Sequence, residues 1–350
     1  MKRSHGLDED SVTVAPRRWT RSLFGVVGLI MTMLPTIAAA QSLPSFQLPD
    51  SVKRQFAEEV KMQTLGGRQF WGDVQFFHGY RIQRNVFTGH YRLLDDRDWR
   101  HTSGTLDVCR ARLDKIRKEK KLPVMSGRGV IVLHGIIRSS KSIYTVAEQL
   151  RSEGFTAFPM EYPSTQISIE QAAEYLDSII QNLDGVEELH LVGHSMGGLV
   201  IRAWFAKHND PRIKRVVMLG TPNYGAEMAD LVKRNLLFRT VFGPAGQQLV
   251  TDNAGLIPLL PTPPCEFAII AGARGNETGW NPFIPGDDDG TVTVASARLA
   301  GAADFNTAQR LHHALLGDRD VSAQIARFLL TGRLRADGEP QPIPLPTPSP

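Results

Sequence analysis

Hydrophobic patterning is most regular from Gly129 onward. Val130-Ile131-Val132-Leu133 is a short, continuous apolar run, as expected of a strand covered on both faces. Helical periodicity follows over residues 142–153, then a strand over 155–160 and a helix over 169–183. A second buried strand spans 189–193, a helix 196–208 and a strand 216–219. Further along, strands are expected at 267–271 and 291–294, with a final helix over 321–330. Strands alternating with helices of this length predict an α/β fold, a mostly parallel central sheet flanked by helices with right-handed crossovers.

The flanks read differently. Residues 41–61 are punctuated by proline and then helical in pattern, and strands are expected at 74–77, 80–82 and 90–94. Ser103 reads as the N-cap of a basic amphipathic helix ending near Lys121-Leu122-Pro123. Its charged face is expected to be solvated, with transient contact at a membrane surface left open. Residues 223–262 fit no sheet element; they carry Gly243-Pro244, Gly246 and Pro258 between apolar helical stretches, as a cap-like insertion would. From Pro340 every second residue is proline, which predicts an extended, disordered tail.

Composition narrows the picture. A hydrophobic fraction of 42% with 22% charged residues suits a chain of 350 residues with a substantial core. The formal charge is +4, but residues 1–40 hold five basic side chains against three acidic ones. That +2 leaves about +2 on the remainder, too little to argue for a nucleic-acid partner. Arg17, Arg18 and Arg21 precede an apolar run over 23–37 that closes with Ala38-Ala39-Ala40. This is the pattern of a signal peptide cleaved after Ala40, so export to the periplasm or beyond the cell is expected. Two cysteines, Cys109 and Cys265, could pair in an oxidising compartment or stay separate buried thiols.

The chemistry concentrates at Gly193-His194-Ser195-Met196-Gly197-Gly198, where a buried strand meets a helix. A serine on such a tight turn needs small neighbours, and the turn lifts its hydroxyl clear of the sheet. The Met196 N–H then lies at a helix N-terminus, where it can stabilise an oxyanion. The hydroxyl needs a base, and the base an orienting acid, in the chain order serine, acid, histidine. Asp289, within Asp287-Asp288-Asp289-Gly290, is the expected acid, with Asp288 as alternative; a calcium site offers too few oxygens from one short run. His312-His313 lies 23 residues after Asp289 and offers the base, with the choice between the two neighbours open at this point. A second oxyanion donor is expected at the Ile136 N–H, just after His134-Gly135, with His134 and His194 as packing neighbours.

Leu133-His134-Gly135, the Gly193 to Gly198 motif, Leu219-Gly220-Thr221-Pro222, Asp289-Gly290-Thr291-Val292 and His312 through Leu316 together resemble the bacterial lipase/esterase branch of the α/β-hydrolase superfamily. The resemblance covers about residues 128–331. It implies the α/β-hydrolase fold, hydrolysis of a small-molecule or lipid acyl ester without a cofactor or metal, and a triad of Ser195, Asp289 and His312. The expected layout is a signal peptide (1–40), an amino-terminal region (41–125), a catalytic domain (126–332) and the tail (333–350), with no obligate protein partner. The same triad could serve an acyltransferase, thioesterase or phospholipase, and a non-catalytic binding protein would be expected to lack it.

Overall fold

The computed structural model describes residues 62–63, 68–232, 236–252 and 254–346. The expected signal peptide and its Ala40 cleavage point lie outside them.

The amino-terminal region builds a sheet of its own. Strands β1 (Met62–Gln63), β2 (Trp71–Phe77), β3 (Tyr80–Asn85), β4 (Tyr91–Leu94) and β5 (Trp99–Gly104) pair antiparallel in the order β1-β5-β4-β3-β2. None of them joins the sheet that follows. Helix α1 (Leu106–Glu119) covers this sheet with Cys109, Leu113 and Ile116. Its N-cap is Thr105, whose hydroxyl accepts the Val108 N–H, and not Ser103, which pairs with Arg92 inside β5. The basic face is partly occupied: Arg110 donates to Gln75 and Asn182, and the Arg117 guanidinium lies 4.1 Å from the Phe77 ring centre.

From Arg128 the alternation expected from the sequence takes shape. In chain order come β6 (Arg128–Leu133), α2 (Tyr144–Ser152), β7 (Thr156–Met160), α3 (Ile169–Gln181), β8 (Glu188–His194), α4 (Met196–Phe205) and β9 (Ile213–Leu219). The six-stranded sheet is parallel throughout, in the order β11-β10-β9-β8-β6-β7, with β10 (Glu266–Gly272) and β11 (Asp304–Ala308) at one side. Along β6, Val130 and Val132 face one apolar cluster and Ile131 and Leu133 the other, so the strand reads as continuously hydrophobic. Helix α3 shows how local signals and packing agree. Ser168 and Gln171 form a reciprocal capping box, and Ile169, Ala172, Ala173, Leu176, Ile179 and Ile180 make one buried stripe. Each large aliphatic side chain in it contributes roughly 2 kcal/mol of burial.

The 223–262 segment carries α5 (Glu227–Val232) and α6 (Leu236–Gln247) and no strand among its described residues. Helix α6 breaks at Gly243, which has φ +61° and lies so close to Thr165 that a Cβ there would sit 1.8 Å from its carbonyl oxygen. Only glycine fits that contact.

Two expectations are corrected after β10. Residues 291–294 are not a strand: the Asp289 carboxylate accepts the Thr291 and Val292 N–H groups, and the Thr293 hydroxyl caps α7 (Val294–Ala297). Local side-chain bonds to the backbone outcompete β propensity here. Among the described residues the last strand is instead β11, a polar edge strand with β10 as its only neighbour. The chain closes with α8 (Arg319–Thr331), and the tail, expected to be disordered, is held by two backbone bonds, Gly301 N–H to Ile343 and Ile343 N–H to Ala302. Cys109 and Cys265 are separate thiols, pushed up to about 12 and about 11 by burial.

Candidate active site

Strand β7 leaves β6 on one side and β8 lies on the other, so the chain reverses direction across the sheet between β6 and β8. The carboxyl ends of strands at such a reversal form a crevice. Both the 134–139 turn after β6 and the Ser195 turn after β8 open into it.

Ser195 joins β8 to α4 with φ 55° and ψ −126°, a strained left-handed geometry for a residue with a side chain. The turn holds because its neighbours are glycines at close contacts. A Cβ on Gly193 would meet the Gly198 nitrogen at 2.5 Å, and one on Gly197 the Leu133 carbonyl oxygen at 2.8 Å. The Ser195 N–H is anchored to the Leu219 carbonyl at 2.8 Å. The serine is nearly buried, as are Asp289 and the flanking helix.

Asp289 and His312 are brought into contact. His312 Nδ1 lies 2.7 Å from Asp289 Oδ2, and since a carboxylate only accepts, Nδ1 carries the hydrogen and Nε2 is the free base. Asp289 Oδ1 is occupied by the Thr291 and Val292 N–H groups, so the carboxylate is fixed from both sides. Asp288 has a different task. Its carboxylate gathers the Asn281 and Gly290 N–H groups, while Asp287 holds those of Arg274 and Gly275. His313 is exposed at the N-cap of a short 3-10 turn, Ala314–Gly317. Among the described residues the Ser195 hydroxyl and His312 Nε2 do not form a hydrogen bond, a link often loose before substrate binds.

His194 and His134 are buried, each with its own partner. His194 donates from Nε2 to the His312 carbonyl at 3.1 Å, and the two rings lie 4.8 Å apart. Burial first, then the charge of His312, holds His194 well below the usual imidazole range, so it is neutral. His134 stacks on Tyr162 at 4.2 Å. The Ile137 N–H is taken by Ser164 Oγ at 3.1 Å, whereas the N–H groups of Ile136 and Met196 have no protein acceptor among the described residues. A cleft of about 700 Å³ lined by Tyr80, Asp95, Asp96, Arg97, Trp99 and Lys120 lies on the antiparallel sheet, away from Ser195.

Sequence reasoning did not single out Arg202. From α4 its buried guanidinium donates to the carbonyls of Asn223, Leu260 and Pro261, tying both ends of the 223–262 segment to the helix that starts at Ser195.

Known proteins resemble part of this chain. Rat lysosomal thioesterase PPT2 is 24% identical over 219 residues, covering 52% of this chain and 70% of that protein. The human protein of that name is 25% identical over 219 residues with the same shares. Among solved structures, Bacillus licheniformis lipase BlEst2 in mature form overlaps with a TM-score of 0.45 at 22% identity, over 60% of this chain and 93% of that one. An extracellular alpha/beta-hydrolase from a Paenibacillus species gives a TM-score of 0.38 at 17% identity, over 59% and 98%. The family model described as the alpha/beta hydrolase fold matches residues 130–239. The match begins in the first buried strand and runs through the serine turn, so residues 130–239 carry the alpha/beta hydrolase fold.

Proposed function

We propose that this chain is a serine-dependent carboxylic-ester hydrolase, with Ser195 as nucleophile, His312 as base and Asp289 as orienting acid. The observation that carries the reading is the Asp289–His312 bond beside a strained serine turn. Ser195 Oγ attacks the acyl carbon and passes its proton to His312 Nε2, while Asp289 keeps the imidazole in the productive tautomer. The oxyanion is held by the Met196 and Ile136 N–H groups, each typically worth about 3 kcal/mol in the transition state. His312 then protonates the departing alkoxide as its bond to the acyl carbon breaks. A water, deprotonated by the same nitrogen, attacks the acyl-enzyme, and the acid leaves as the serine is restored.

Exposed apolar side chains directly beside two of these residues in the chain, Ile137 and Leu311, support an apolar acyl group. The amino-terminal pattern supports export with cleavage after Ala40, which the mass of the protein recovered from an expressing cell checks directly.

The test is hydrolysis of p-nitrophenyl esters from acetyl to palmitoyl, with Ser195→Ala as blank. Turnover lost in the variant supports the reading, and equal inertness of both proteins across the panel would sink it. A second reading, thioester hydrolysis, is favoured by the lysosomal thioesterase relatives. It predicts that acyl thioesters outrun oxygen esters of the same chain length.

A further inference from the structure

The amino-terminal sheet lies outside residues 130–239, yet the segment leading into its strand β2 reaches the turn that carries the Ile136 N–H. That turn is strained: Ile137 has φ 58°. A β-branched residue in the left-handed region is a genuine outlier that persists only where its surroundings over-determine it. The surroundings here converge on Gln69, immediately ahead of β2. Its Nε2 donates to the Arg138 carbonyl at 2.8 Å. Its Oε1 accepts the Ser164 hydroxyl at 3.1 Å, the Thr165 N–H at 3.1 Å and the Thr165 hydroxyl at 3.0 Å. Ser164 Oγ in turn accepts the Ile137 N–H. The strained residue is thus bracketed by a closed ring of hydrogen bonds running Ile137, Ser164, Gln69, Arg138. Carbonyl and hydroxyl partners assign both ends of the amide, so neither a carboxylate nor an apolar side chain could complete the ring. A second tie runs parallel to it. Asp73 in β2 accepts the Glu161 N–H at 2.7 Å, and the Glu161 carboxylate holds the Ser140 N–H and hydroxyl at 3.1 and 2.9 Å.

We propose that Gln69 is a positioning residue of the active site: it braces the 136–138 turn so that the Ile136 N–H is aimed at the oxyanion, which makes the amino-terminal sheet an intramolecular part of the catalytic apparatus. This rests on the ester-hydrolase reading above. The brace acts where charge develops, so its loss lowers kcat and leaves substrate binding nearly unchanged.

The experiment compares full-length mature wild type with Gln69→Ala and Gln69→Glu. Gln69→Glu keeps the acceptor oxygen and the side-chain volume but removes the hydrogens that hold Arg138, so it reads the brace even if Gln69→Ala folds poorly. Three quantities are measured: kcat and KM for p-nitrophenyl butyrate, affinity for a trifluoromethyl ketone that binds serine as an oxyanion, and hydrogen exchange of the peptide spanning 134–140. Expected are faster exchange at 136–138, kcat lower by roughly tenfold to a hundredfold, and ketone affinity reduced in parallel. KM should stay within about twofold. Unchanged exchange overturns the brace, and faster exchange with wild-type kcat and ketone affinity overturns its catalytic role. A wild type as inert as Ser195→Ala sinks the hydrolase reading instead, and exchange at 136–138 still decides the brace.

Discussion

His312 and Asp289 are bound to each other twice. The imidazole donates to the carboxylate at 2.7 Å, and the His312 backbone N–H donates to the Asp289 carbonyl at 2.8 Å. The backbone bond sets the loop that carries His312, and the side-chain bond sets the ring upon it. Rotation of the imidazole therefore has little slack, and the tautomer with a free Nε2 is selected.

Asp289→Asn keeps the volume and one acceptor but reverses that selection. We expect kcat to fall by about 10⁴-fold with KM little changed, read by steady-state ester hydrolysis. Asp288→Asn should disturb the 279–290 loop and cost far less in rate. An equal loss in both variants would mean that the acid has been assigned to the wrong residue.

Ser195 stores backbone strain, so removing its side chain has two separable effects. Ser195→Ala and Ser195→Gly should both reduce hydrolysis to the blank. Ser195→Gly also relieves the left-handed geometry and should be more stable than Ser195→Ala by about 1 kcal/mol. Urea denaturation of the pair measures this, and equal midpoints would count against the strain.

Arg202 is buried, and burial brings its guanidinium down to about 10, so it remains charged at neutral pH. Arg202→Met would orphan the carbonyls of Asn223, Leu260 and Pro261, at a cost of roughly 3 kcal/mol or more. Arg202→Lys should recover little of this, because one ammonium cannot span three carbonyls in the fork's geometry. Full rescue by lysine would show that charge alone matters there.

Asp73 is fully buried, and burial raises its carboxyl from 3.8 to about 6 against the opposing pull of Arg81. A folded value above the unfolded one means that protonation favours the fold. The contribution is complete below about pH 4 and is lost as pH rises through about 6. It is worth about 3 kcal/mol across that window. Between pH 4 and pH 7 the stability of wild type relative to Asp73→Asn should therefore fall, as urea denaturation at the two pH values would show. A relative stability that grows with pH would reverse the assignment.

How much of this was legible beforehand depended on the range of the interaction. The strands of the parallel sheet up to β10 could be read because each is a local apolar run flanked by glycine or turn residues. Strand β11 could not, since an edge strand with a single neighbour tolerates the polar run Asp304-Phe305-Asn306-Thr307-Ala308. Residues 291–294 look like a strand by composition, but the Asp289 carboxylate takes the Thr291 and Val292 N–H groups, and the segment makes one bridge, Thr293 to Asp288, outside the parallel sheet.

The sequence by itself determined part of the serine turn: the steric demand for glycine at Gly193 comes from Gly197 and Gly198 in the same turn, whereas that at Gly197 comes from Leu133 and His134 at the end of β6. It also narrowed the acid and base to neighbouring candidates. Tertiary structure alone brought Asp289 rather than Asp288 to His312 rather than His313, since each pairing rests on which side chain a loop points inward. Tertiary structure alone also brought Gln69 to Arg138 and Ser164, across 69 and 95 residues. A hydrogen bond between distant segments leaves no periodicity and no local preference behind, so only the folded chain reveals it.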